Sequence, residues 1–359
     1  MRPKGILIIR YRYNKIRYGG KQERHVERYC SHPFNIDFTT CCISFVYNLW
    51  GGWSHPTGYE DIACYSWIAK ISYSFFLEAF VAISGYIYAY QIFSKKKSLS
   101  LGKFILNKFK RLIVPSIIFG TVYYFIFYEM KSPLDAIISI VGGIGHLWFL
   151  PMLFWCFIGG WFLVRWNISD KYKIIFLLLL SSLSFVSLPL RINSAMYYML
   201  FFYLGVCLQK RSKRIETMKW GNIISYWLAF AVVFVFAQKI IGAISGLDTT
   251  IIEKTIRFET GNILKIIYSA LGSWALFLTS RRYVHTHELS SLCIKFSSCC
   301  FGVYIFQQFI IYFLYYHTNI PAIVGAYWLP WIGFVLALSI SIIASLGLLS
   351  TKIGRTIIG

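Results

Sequence analysis

The sequence predicts an all-α protein, a polytopic integral membrane bundle of about ten transmembrane helices. Three observations predict it. Hydrophobic residues make up 57% of the chain and charged residues only 14%, with a mean hydropathy of +0.58, more apolar surface than a soluble domain covers. The apolar runs are long enough, at ~1.5 Å per residue, to cross a hydrocarbon core of roughly 30 Å. Basic loops alternate with less basic ones along the chain, which is the pattern of the positive-inside rule.

Residues 1–35 carry Arg2, Lys4, Arg10, Arg12, Lys15, Arg17, Lys21, Arg24 and Arg28 against Glu23 and Glu27, and read as a basic cytoplasmic tail. The apolar stretch Gly5 to Ile9 is too short for the core of a cleaved signal peptide. Residues 36–359 then form one membrane domain. Its first span, Ile36 to Trp53, is the most polar, with Asp37, Asn48 and paired glycines; charge still requires a crossing there. The remaining spans are expected at Ile68–Phe93, Leu112–Tyr128, Leu147–Val164, Ile174–Leu188, Ser194–Leu208, Ile223–Ile241, Ile263–Ser280, Ser297–Tyr316 and Val324–Leu349. Gly242 to Asn262 reads as the longest outer loop. Both termini are expected on the cytoplasmic side, beside the lysine-rich loop Lys95 to Arg111 and the second basic loop Lys210 to Lys219.

The formal charge of +22 does not point to nucleic acid, because Lys and Arg sit between apolar spans rather than on one face. The nine Cys include adjacent pairs without metal spacing, and read as small buried apolar residues rather than zinc ligands. No metal is expected.

Few titratable side chains fall inside spans, where each is costly and faces other helices or a wet cavity. Glu78, about ten residues into its span and so near the midplane, reads either as a general base or anchor for a substrate hydroxyl, or as an interhelical contact. Ser84-Gly85 lets a second backbone or a thin ligand chain come close, and no partner makes Ser84 a nucleophile. Lys103, Lys108, Lys110 and Arg111 form a basic approach to the next span. That suits a phosphate-bearing donor, and equally topology and anionic lipid. His146, at an outer mouth, can exchange a proton near neutral pH, and Trp148 beside it is either a substrate contact or an interfacial anchor. Tyr304, Gln307 and Gln308 lie within about one helical turn and either line a polar acceptor cavity or bond across helices.

Four short phrases, in order, carry a resemblance: Phe75-Phe76 with Ser84-Gly85; Lys110, Arg111, Leu112 and Pro115; Leu147 to Leu150, reading LWFL; and Ser298 with Gly302 to Phe306, reading GVYIF. Together they resemble acyltransferase family 3, integral-membrane O-acyltransferases of cell-surface polysaccharides, over roughly Ile68 to the C-terminus. The resemblance implies an inner-membrane enzyme transferring an acyl group, commonly acetyl, from acetyl-CoA or another acyl-CoA to a hydroxyl of a cell-surface or lipid-linked glycan. It implies that Lys108, Lys110 and Arg111 hold the CoA phosphates and that the pantetheine arm passes Ser84-Gly85. The acyl carbon then sits near Glu78 and His146, with Trp148, Tyr304, Gln307 and Gln308 toward the acceptor. The chain departs from the family pattern at its start: members carry a His at the end of the first span, whereas Ile36 to Trp53 has none and His55 follows within Ser-His-Pro. The same helices and polar cavity would also serve a polysaccharide exporter or flippase, which needs no acyl-CoA.

Overall fold

The computed structural model describes residues 56, 60, 62–96, 100–129, 132–211, 218–286 and 298–358. Among them the secondary structure is helical, without a strand. The expected first span and His55 lie outside the described residues. We number the helices α1 (Ala63–Tyr73), α2 (Phe76–Phe93), α3 (Leu101–Lys108), α4 (Val114–Phe127), α5 (Pro133–Val141), α6 (Phe149–Arg165), α7 (Asp170–Ser182), α8 (Ile192–Lys210), α9 (Trp220–Ala243), α10 (Ile251–Thr286), α11 (Cys300–Tyr316), α12 (Ile320–Ser350) and α13 (Lys352–Ile358). A π turn, Phe109–Ile113, joins α3 to α4, and a 3-10 turn, Gly145–Trp148, leads into α6.

Seven stretches among the described residues are long and apolar enough to cross a membrane: 63–93, 101–127, 145–165, 189–210, 220–243, 251–283 and 320–350. They coincide with seven of the expected spans. The expected fifth and ninth are represented by shorter helices, α7 with 13 residues and α11 with 17. Large apolar side chains stand open on the outside of the bundle, among them Val232 at 70% exposure and Ile343 at 69%. Such a surface is solvated by lipid tails, not water.

The centre of the bundle is the crossing of α2 and α8. A Cβ at Gly85 would lie 1.9 Å from the Phe202 carbonyl oxygen, and one at Gly205 would lie 1.8 Å from that of Ala82. Each glycine therefore receives the other helix's backbone directly. Lipid tails give no hydrophobic drive between helices, so such close van der Waals approach is what holds them. The vacancy at Gly85 is thus filled by α8, and Ser84 turns back on its own helix, donating to the Phe80 carbonyl at 3.0 Å.

The expected span Ile68–Phe93 is interrupted at Ser74 and Phe75, between α1 and α2. Two hydroxyls of α10 meet the carbonyls there: Ser269 donates to Ser74 and Ser273 to Phe75, at 2.5 and 3.1 Å. Irregular backbone inside a membrane is tolerated when neighbours satisfy it in this way.

The outer loop expected over Gly242 to Asn262 is shorter than read, because α10 begins at Ile251. Its start is a capping box: Glu253 N–H donates to Thr250 Oγ1 at 3.1 Å while Glu253 Oε2 accepts from Thr250 N–H at 3.2 Å. The reciprocal bonds satisfy amide donors that a helix start leaves open.

At the other end of α10's neighbour α8, Asp170 joins α7 to the bundle. It accepts from Tyr203 at 2.6 Å and pairs with Lys210 at 2.9 Å. Burial raises the Asp170 carboxyl, but the bonds from Lys210 and Tyr203 and the charges of Lys210 and Lys173 outweigh it and hold the group below the ordinary aspartate range.

Two tests follow from this packing. Gly85→Ala and Gly205→Ala should each cost about 1–3 kcal/mol as overpacking, lowering the midpoint of thermal unfolding in detergent, whereas Gly261→Ala, with nothing within 4 Å, should leave it unchanged or raise it. The depressed Asp170 carboxyl contributes stability at pH values above its unfolded range, and loses it as pH falls through the folded value. Since the pair is about a third exposed, Asp170→Asn should cost no more than about 1 kcal/mol at pH 7, with the difference from the parent protein vanishing in acid.

Candidate functional site

The sequence-predicted residues fall at three levels along the bundle. At one end, Gly143 and Gly145 adopt φ of +80° and +54°, a left-handed turn that glycine tolerates without a Cβ penalty. A Cβ on Gly143 would meet the Trp148 backbone at 2.6 Å. Arg191 donates to the Gly142 carbonyl at 3.2 Å and ties the turn to the start of α8. The turn delivers His146 onto α11.

His146 Nε2 lies 3.0 Å from the Ile305 carbonyl, and the Tyr304 hydroxyl donates to the His146 carbonyl at 2.5 Å. A carbonyl only accepts, so Nε2 carries the proton and Nδ1 carries the lone pair. Nδ1 is buried and has no hydrogen-bond partner among the described residues. The Tyr304 and Tyr123 rings stand edge-on to the imidazole with centroids at 5.2 and 6.1 Å. Gln307 and Gln308 follow on α11, both buried. Trp148 packs toward Tyr198 with centroids 6.1 Å apart.

At the middle level Glu78 is fully buried. Its Oε1 accepts from Tyr197 at 3.2 Å and lies 3.5 Å from Lys265 Nζ, while Oε2 is buried without a partner among the described residues. Lys265 Nζ also sits over the Tyr197 ring, 4.7 Å from its centre. Glu78 does not touch His146. Aromatic rings connect the two, since Phe80 packs on Phe149 at 5.4 Å and Phe149 on Tyr304 at 6.2 Å. Sequence reasoning missed Lys265, although a cation inside a span is as costly as a carboxylate and asks for a partner of opposite sign.

At the far end Lys108, Arg111 and Arg165 line a cavity of about 160 Å³ with Gln91, Asn107, Tyr88 and Trp161. Lys108 Nζ rests 3.4 Å from the centre of the Phe157 ring, and the Arg165 guanidinium 3.9 Å from that of Trp161. Among the described residues no carboxylate pairs with these cations. Basic groups gathered around a small cavity without an acid attract an anion, and the guanidinium geometry suits phosphate. Arg165 follows directly on the expected span Leu147–Val164, and the fold brings it to Lys108. Lys110 is exposed and does not line this cavity. The length of α6, about 25 Å at helical rise, lies between Arg165 at this end and the turn that carries His146.

The Glu78 pair yields a double-mutant test. Lys265→Met strands a buried carboxylate and should destabilise by about 3 kcal/mol, the lower end of the range for broken buried pairs because Lys265 is 40% exposed. Adding Glu78→Gln should restore most of the loss, measured as thermal midpoints of the single and double variants.

No curated protein and no solved structure matches the chain. A family model described as an acyltransferase domain matches residues 38–350. That match covers most of the chain, including His146, Glu78, Lys265 and the Lys108 cavity. The chain therefore belongs to the acyltransferase 3 family of multi-pass membrane acyltransferases.

Proposed function

We propose that this acyltransferase moves an acyl group, acetyl by our reading, from acyl-CoA to a hydroxyl of a cell-surface or lipid-linked glycan. The observation that carries the proposal is the buried Nδ1 lone pair of His146, set free by the Nε2 bond to Ile305 and left without a partner. A lone pair of this kind, beside the Tyr304 ring and on the stretch of chain that carries Trp148, with the buried Gln307 and Gln308 following on α11, is suited to accept a proton from a sugar hydroxyl.

In the proposed reaction the acceptor oxygen attacks the thioester carbonyl as His146 Nδ1 takes its proton. A new C–O bond forms, the C–S bond breaks, and the departing thiolate recovers the proton from the imidazolium. The atoms balance without a metal or a redox partner. The buried amides of Gln307 and Gln308 would orient the acceptor. Lys108, Arg111 and Arg165 would hold the CoA phosphates, with Lys110 adding charge at the rim. Glu78, with Tyr197 and Lys265, would anchor the path between the two ends. The basic loops beside the Lys108 end support a reading in which that end and both termini face the cytoplasmic side of the inner membrane, where acyl-CoA is available.

The test is transfer by the purified protein in lipid nanodiscs, with radiolabelled acetyl-CoA and a glycan acceptor. His146→Ala should lose about 10²-fold or more in kcat, as for removal of a general base. Arg165→Ala and Arg111→Ala should raise the KM for acetyl-CoA about tenfold while kcat changes little. Full turnover in His146→Ala would remove it from the mechanism. An unchanged KM in both arginine variants would move the donor site elsewhere.

A further inference from the structure

A second and larger cavity, about 610 Å³, lies between α2, α8 and α10, away from both the Lys108 cavity and His146. Its origin is legible in the residues. The α2 and α8 backbones touch at Gly85 and Gly205, and Trp274 and Phe277 of α10 line the cavity opposite them. Ala79, Ala82 and Ala270 are too small to fill what is left. The slot follows α8 from Phe201 to Arg211, about 15 Å at helical rise. That is half of a hydrocarbon core of about 30 Å, the depth of one leaflet. Its deep end starts at Ala79, next to Glu78 near the bilayer centre, and its mouth is at Arg211.

The walls select for a hydrocarbon chain. Among the described residues lining the slot above Arg211, the polar groups are the Ser273 hydroxyl, which donates to the Phe75 carbonyl, and the Trp274 indole N–H, and the rest are apolar. A pantetheine arm carries amides that would enter without partners, at a cost of about 1–3 kcal/mol each. An alkyl chain has none. The mouth selects for negative charge. Arg211 is exposed and has no carboxylate partner among the described residues. Arg281, one helical turn beyond Phe277, donates to the Tyr86 hydroxyl at 3.3 Å and adds positive charge on that side.

We propose that an anionic phospholipid of the leaflet on the Arg211 side seats one acyl chain in this slot and sets its phosphate on the Arg211 guanidinium. Slot depth, apolar walls and the unpaired cation at headgroup level agree on that occupant. The inference stands apart from the acyl-transfer reading, and its readout is lipid retention rather than turnover.

The test is native mass spectrometry of the full chain, purified in detergent and offered phosphatidylglycerol or phosphatidylcholine with the same acyl chains. The expected result is one phosphatidylglycerol retained per chain, with phosphatidylcholine retained at least tenfold less. Arg211→Ala should bring phosphatidylglycerol down to the phosphatidylcholine level. Ala270→Phe, and separately Leu208→Trp, should fill the slot and abolish retention, with elution position and thermal midpoint confirming a folded bundle. Should both slot variants fail to fold, Arg211→Ala remains decisive, since its side chain is exposed. Equal retention of the two lipids, undiminished retention in Arg211→Ala, or retention in a folded slot-filled variant would each overturn the proposal.

Discussion

Where α2 and α8 cross, no side chain stands between their backbones, and the rest of the site takes its position from that contact. Gly85 receives the Phe202 carbonyl and Gly205 receives that of Ala82. Helices in lipid gain little from burying apolar surface against one another, so the closeness of approach sets how firmly they hold. One turn beyond the contact, α8 offers Tyr197 to Glu78 of α2. The carboxylate then recruits Lys265 from α10, and α10 in turn satisfies the broken backbone at Ser74 and Phe75. Two glycines, one buried acid and two serine hydroxyls thus bind three helices into a single rigid centre.

Around that centre the chemistry is stretched along the bundle. The unpartnered imidazole nitrogen of His146 stands at one end of α6 and the cation-lined cavity at the other. No short molecule touches both. An extended ligand would be needed to reach from one to the other, and the acyl-CoA of the proposed reaction has that shape. Glu78 falls between them, so a chain lying along α2 passes a carboxylate already half satisfied and with one oxygen still open.

Much of the architecture was legible because it rests on composition and on apolar length, both local properties. Seven expected spans reappear as helices of spanning length. The early start of α10 was legible too, in Thr250-Ile-Ile-Glu253, but a polar stretch with mixed charges reads as loop unless the capping pattern is sought. Ser84-Gly85 was ambiguous because a missing Cβ admits either backbone or ligand, and only the partner helix decides. Lys265 and Arg165 were not found, since each acquires meaning from a residue far away in the chain, Glu78 and Lys108 respectively. His146 was singled out by residue type, but its tautomer depends on the Ile305 carbonyl, which no local spacing reveals.

The π turn at Phe109–Ile113 accommodates one residue more than the same α-helical stretch, an angular offset of about 100° between the segments on either side. Just upstream of it Lys108 leans on Phe157 of α6, and the first residue of the turn, Phe109, meets Phe154. Downstream, Phe119 and Tyr123 meet Phe306 and Phe309 of α11. The turn therefore works as a coupling between two gears set out of phase, one meshed with α6 beside the Lys108 cavity and one with α11 beside His146. In comparisons among relatives, a single-residue gap in this stretch is a change of helical phase, carrying a functional meaning that the same gap in a loop would lack.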